Sequence, residues 1–164
     1  MEKNHFFTFL IFLLNIALIK SSFSNLYNHY SEIHLVIQGN GTQNLLSDKF
    51  NIIPSKVYVN GVIDSSCNKT CYLEGNKNSI ILIFEEKINS CEAMFYGLSN
   101  ITEIDLSKFD TSEVTIMSNM FSYCINLNKI DFGNMITSSV KDMSSMFGGC
   151  SKLMTIDLSK FDTS

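Results

Sequence analysis

Residues 91–164 read CEAMFYGLSNITEIDLSKFDTSEVTI (91–116), MSNMFSYCINLNKIDFGNMITSSVKD (117–142) and MSSMFGGCSKLMTIDLSKFDTS (143–164). Set in lines of 26, the three copies align without a gap: Met94-Phe95 over Met120-Phe121 over Met146-Phe147, and Ile104-Asp105 over Ile130-Asp131 over Ile156-Asp157. The nine residues 104–112 recur identically as 156–164. Self-similarity at a fixed period of this length marks a chain built from stacked supersecondary units, none of which buries its apolar face alone.

Two periodicities alternate inside each copy. Ile101-x-x-Ile104-x-Leu106, Leu127-x-x-Ile130-x-Phe132 and Leu153-x-x-Ile156-x-Leu158 have the form of a short strand with alternate residues inward. Val114, Met117, Met120, Phe121 and Cys124 are spaced by three, three, one and three, which predicts a short helix. Asp110-Thr111-Ser112 between them is a turn and helix-start signal. The expected fold class is therefore an α/β repeat solenoid, with a short parallel strand and a short helix per coil. The third copy stops before the position of Val114 and Val140, so the chain is expected to be a fragment.

The composite pattern M-x-x-M-F-x-x-C-x-x-L-x-x-I-D-L-S-x-F-D-T-S-x-V resembles the 26-residue repeat of BspA-type leucine-rich-repeat surface proteins, over residues 91–164. The resemblance implies secretion or surface display and attachment to host or environmental surfaces. Cys91 stands where Met117 and Met143 stand, Leu98 replaces the repeat cysteine, and Asn134-Met135-Ile136 replaces Lys-Phe-Asp in the second copy.

Before the repeats, 25–90 carries three apolar runs at 33–37, 56–63 and 79–84, punctuated by Gly39-Asn40-Gly41, Pro54 and Asn60-Gly61. They predict a small β-rich N-terminal cap over the first repeat's edge. Toward its end Ile80, Ile83 and Ile88 fall 26 residues before Leu106, Phe109 and Val114.

The apolar run at 6–19, after Lys3 and before Ser22 and Ser24, has the length of a secretory h-region and is short for a membrane span of about 20 residues. A signal peptide over 1–24 follows, and with it a secreted or cell-surface location with no membrane span in the mature chain. The sequons at Asn40, Asn68 and Asn100 are glycosylation candidates consistent with that route.

Charge and composition narrow the function. The 12 basic residues are all Lys against 16 acids, for a net charge of -4, so no electrostatic footprint for nucleic acid exists. His5, His29 and His34 are the only histidines, and neither His29 nor His34 stands in a catalytic motif with a cysteine. An enzyme is not expected, nor any cofactor. Of the five cysteines, Cys67 and Cys71 are the disulfide candidate, while Cys124 and Cys150 read either as a bridge between stacked coils or as buried thiols. A zinc site at Cys67 and Cys71 lacks a second ligand pair. The methionine ladder reads as core.

The column Asp105, Asp131 and Asp157 lies between inward strand positions, hence outward, at about 4.8 Å spacing. Solvated carboxylates bonding their own turns and a weak Ca²⁺ site are the two readings. Two functions follow. One is an adhesion or recognition module whose exposed solenoid surface meets a protein or glycan on a cell or matrix. The other is a structural coat or cyst-wall component that self-assembles without a specific ligand.

Overall fold

A computed structural model describes residues 30–162, so the signal sequence expected at 1–24, with His5 and His29, lies outside the described residues. The described residues form eight strands: β1 (Ser31–Gln38), β2 (Gly41–Asn44), β3 (Lys56–Val59), β4 (Val62–Ile63), β5 (Thr70–Leu73), β6 (Lys77–Phe84), β7 (Ile101–Lys108) and β8 (Lys129–Asp131). Six form one sheet in the order β4-β3-β6-β1-β7-β8, and β2 and β5 form a separate two-stranded ribbon. Every pairing between these strands is antiparallel except β7 with β8, and isolated parallel bridges also join Ser90 to Ile116 and Ile116 to Asp142.

Alternation builds the sheet. Ile33, Leu35 and Ile37 of β1, Ile80, Leu82 and Phe84 of β6, and Ile104 and Leu106 of β7 are buried on one face. Burying each such side chain contributes about 1.5–3 kcal/mol. Cys71 and Leu73 of the ribbon, with Leu45 and Leu46, join the same core and close it from the opposite side. One sheet joins the segment before residue 90 to the repeats, because β1 pairs with β6 on one side and with the first repeat's strand, β7, on the other.

The structure overturns the expected α/β repeat solenoid. All described secondary structure is β, with no helix among the described residues, and the sheet is an antiparallel sheet extended by one parallel strand. Among the described residues the third copy contributes no strand. Where helices were expected, each repeat makes a run of tight turns, and the destination of its N–H groups explains why. Met120, Ser122 and Cys124 donate three residues back, to the carbonyls of Met117, Asn119 and Phe121 (3.0–3.2 Å). The residues between them donate to the next repeat instead: Asn119 to Ser144, Phe121 to Met146 and Tyr123 to Gly148 (2.6–2.9 Å). The first copy follows the same rule, with Ala93, Phe95 and Gly97 donating to Ser118, Met120 and Ser122 (2.8–3.0 Å). A helix would take every N–H four residues back along its own chain. Here alternate donors are committed to a neighbouring repeat.

The turns need left-handed backbone at two places per copy. Ala93, Asn119 and Ser145 have φ of 52°, 58° and 53°, and Gly97, Tyr123 and Gly149 have 74°, 62° and 74°. Glycine serves the second position at no steric cost, and Tyr123 holds it with strain. The Asp-Thr-Ser segment is a turn and not a helix start. Asp110 Oδ1 accepts from Ser112 N at 2.9 Å, and Thr111 Oγ1 both donates to Ile136 O and accepts from Ile136 N, each at 2.8 Å. Thr137 repeats the device on Asp162. Inside, Phe95, Phe121 and Phe147 stack in nearly parallel planes at 5.7 and 5.5 Å between centroids. The thiols of Cys124 and Cys150 each donate to the carbonyl 29 residues earlier, Phe95 O and Phe121 O, at 3.0 Å. Both are free thiols, as is Cys91. Burial pushes Cys91 and Cys124 up to about 12, so both stay protonated and inert at neutral pH.

Candidate functional site

The face of the six-stranded sheet turned away from the core carries the chemistry. Residues in register lie side by side across a sheet and point the same way, so the pairings define rows. One runs Ile63, Tyr58, Ile81, His34, Asp105, Asp131 from edge to edge. A second runs Lys56, Ile83, Glu32, Lys108, and a third Ser79, Val36, Glu103, Lys129. The β3–β6 side therefore carries Tyr58, Ile63, Ile81 and Ile83 beside Lys56 and Ser79, and the β1–β7–β8 side is charged apart from Val36.

A bulge sets the charged centre. Asp105 and Lys108 are three apart and would face opposite sides of a regular strand, but the register shift between Glu32 and His34 turns Lys108 to the same side. Glu32, only 9 % exposed at its side chain, is bonded by His34 Nε2 and by Lys108 Nζ at 3.0 Å. Burial opposes ionisation of Glu32, but the hydrogen bonds from His34 and Lys108 and their charges outweigh it, and its carboxyl lies below its ordinary value. Asp105 behaves alike: burial raises it, while the Ser107 bonds and the His34 and Lys108 charges prevail and lower it. Lys108 is raised by its bond to Glu32.

Two grooves open on this face. One of about 330 Å³ is lined by Tyr30, Glu32, Tyr58, Ile81 and Ile83, with the Lys56–Glu85 pair (2.6 Å) at its rim. The other, about 240 Å³, lies among His34, Glu103, Asp105, Lys129 and Asp131.

The structure places the expected site residues as follows. Asp105 and Asp131 are register partners, while Asp157 lies outside any strand. Each carboxylate accepts an N–H two residues on, from Ser107, Gly133 and Ser159 (2.8–2.9 Å). Among the described residues, one group of three metal-ligating residues has its ligand atoms within 4.8 Å of one another, and it is Asp64, Cys67 and Cys71. The sulfurs of Cys67 and Cys71 are joined in a disulfide with Cα atoms 4.6 Å apart, which leaves no thiolate for a metal. Asn40 and Asn68 are exposed and Asn100 is half-buried. The Glu32–His34–Lys108 centre and the tyrosine groove were not foreseen. Their signal was the alternation of Glu32, His34 and Val36 with Ile33, Leu35 and Ile37, which identifies an outward face but not its neighbours.

The fold and this face define an all-β chain with an open, half-apolar and half-charged sheet surface, extended by repeats that hydrogen-bond copy to copy. Residues 75–164, more than half of the chain, match the family described as "Mycoplasma protein of unknown function, DUF285", and the chain belongs to that family. The matched segment begins just before β6, so it includes Ile80, Ile83 and Ile88 as well as the three copies. No curated protein and no solved structure matches the chain. Among the described residues no helix is long and apolar enough to cross a membrane.

Proposed function

We propose that this chain is a secreted or surface-displayed recognition module that binds a protein or glycan on a cell or matrix and catalyses no reaction. The observation that carries the reading is the outward sheet face, where Tyr58 and Ile81 stand in one row with His34, Asp105 and Asp131. Apolar area beside ordered charge suits recognition, since the first supplies affinity and the second orientation. The repeat's likeness to BspA-type surface proteins and the leader-like run at 6–19 support the same reading. Binding of labelled protein to cells and extracted matrix tests it. Tyr58→Ala and Lys129→Ala should each weaken binding at least tenfold with melting temperature nearly unchanged, and equal binding by wild type and both variants would contradict it.

A self-assembling structural role is the second reading, favoured by one observation. The copies hydrogen-bond one to the next, Phe95 N to Met120 O and Phe121 N to Met146 O, a pattern that repeats of a second chain can continue. Sedimentation across a concentration series separates the two, with ordered polymers favouring assembly and a monomer that binds cells favouring recognition.

A further inference from the structure

We propose that in the folded chain Asn40 and Asn68 carry N-linked glycan and that Asn100 is excluded from modification, its amide serving as a clamp between the ribbon and the repeats. The inference rests on the secretory part of the reading above. The three sequons look equivalent as sequence, Asn40-Gly-Thr42, Asn68-Lys-Thr70 and Asn100-Ile-Thr102, and the structure separates them by what each side-chain nitrogen is doing.

Transfer of an oligosaccharide from a lipid-linked diphosphate donor breaks the bond between the anomeric carbon and the phosphate oxygen. It forms a bond from that carbon to Asn Nδ2, releases one amide hydrogen as a proton and frees the lipid diphosphate. The modified nitrogen keeps a single hydrogen. Asn100 Nδ2 uses two, one toward Asn44 O at 2.9 Å and one toward Gln43 Oε1 at 3.2 Å, both on β2. A glycan there would remove one of these bonds and place a sugar where Gln43 and Asn44 now sit. The surrounding backbone leaves no slack, because Asn100 O also accepts from Gln38 N at 2.8 Å and Thr102 Oγ1 donates to Val36 O at 3.2 Å. Asn100 is half-buried and its bond to Gln43 is part-buried, so leaving that bond unmade costs more than releasing a fully exposed amide.

Asn40 and Asn68 present the opposite situation. Asn40 sits exposed in the turn between β1 and β2, where its backbone carbonyl, and not its amide nitrogen, is engaged by Gln43 Nε2 at 2.7 Å. Asn68 is exposed ahead of β5, and its side-chain oxygen, not its nitrogen, is engaged, accepting from Thr70 N at 3.2 Å. β2 and β5 are antiparallel, so the two asparagines, each just before its strand, flank opposite ends of the ribbon. The ribbon closes the core on the side away from the tyrosine and charged rows, so glycans placed there leave the open sheet face uncovered.

The test is expression in a eukaryotic secretory host, once with the native leader and once with residues 1–24 replaced by a host leader, followed by glycopeptide mass spectrometry of the secreted, cooperatively melting protein. The expected result is glycan at Asn40 and at Asn68 and an unmodified Asn100. Asn40→Gln and Asn68→Gln should each remove one glycan and leave the melting temperature of the deglycosylated protein within about 1 °C of wild type. Asn100→Gln should leave the glycan number unchanged and lower the melting temperature by several degrees. Glycan on Asn100 of the melting-competent protein, or its absence from either Asn40 or Asn68 under the host leader, would overturn the assignment. A chain modified only under the host leader would support the assignment and overturn the secretory reading.

Discussion

The half of the molecule built by β1, β3 and β6 and the half built by the repeats bury similar side chains and solve the backbone problem differently. In the first, Ile33, Leu35 and Ile37 alternate with outward residues, and the backbone of β1 is paired along both edges, to β6 and β7. In the second, donors alternate between a turn three residues back and a carbonyl in the next copy, as at Ser122 and Phe121. The first arrangement tolerates changes on one strand, because side chains decide its packing and the ladder is continuous. The second ties side-chain spacing to two left-handed residues per copy and to hydroxyl staples, so backbone-level substitutions should be felt there out of proportion to their size.

Cavity formation should be the largest effect in both halves. Phe121→Ala, between Phe95 and Phe147, is expected to cost about 3–5 kcal/mol, and Leu35→Ala in the antiparallel half about 2–5 kcal/mol, measured by denaturant melts. A loss below about 1 kcal/mol for Phe121→Ala would mean that the phenylalanine stack is not core. Next comes backbone geometry. A Cβ at Gly133 would lie 2.4 Å from Ser107 Cα, and Gly133 has φ of 53°, so Gly133→Ala should destabilise by about 1–3 kcal/mol. Gly97, with φ of 74° and nothing near its missing Cβ, isolates the conformational part and should cost about 1 kcal/mol as Ala. Equal losses at the two glycines would remove the close approach between copies.

A smaller effect is expected from the staple. Thr111→Val keeps the shape but removes both bonds to Ile136, for a loss of about 1–2 kcal/mol, whereas Lys129→Ala on the outward face should stay within about 0.5 kcal/mol. The smallest concerns pH. Glu32 and Asp105 ionise below their ordinary values of 4.5 and 3.8, so the unfolded chain binds more protons through that window. The stability they confer is complete above those values and is lost as pH falls through the lower folded ones. Melting temperature should therefore drop on acidification below about pH 4.5, and Glu32→Gln should flatten part of the slope. An unchanged slope would show that the Glu32–His34–Lys108 centre contributes nothing to folding.

The comparison also explains what was legible in the sequence. The runs 33–37 and 79–84 fall within β1 and β6, and 56–63 spans β3 and β4, because alternation with turn residues at Asn60-Gly61 reports strands directly. β2 and β5 were missed, since Gly41-Thr-Gln-Asn44 is polar and its pairing with Thr70-Cys-Tyr-Leu73 is decided by the core below it. The repeat spacing at Val114, Met117, Met120, Phe121 and Cys124 correctly marks buried residues, all 0 % exposed. It misleads about conformation because side-chain spacing says which residues are inside and nothing about where their N–H groups go. The glycines at 97 and 149 carried that signal, and Tyr123 between them concealed it. The aspartate column was legible as outward and bonded to its own turns, whereas the Glu32 centre depends on a bulge that no pattern announces.

The alternation of donors in the repeats is the central claim, and through-hydrogen-bond scalar couplings in a labelled sample measure it directly. The account predicts couplings from the amide nitrogens of Asn119 and Phe121 to the carbonyl carbons of Ser144 and Met146, with Met120 and Ser122 coupled to Met117 and Asn119. Couplings from Phe121 to Met117 and from Ser122 to Ser118, four residues back, would be those of a helix and would contradict it.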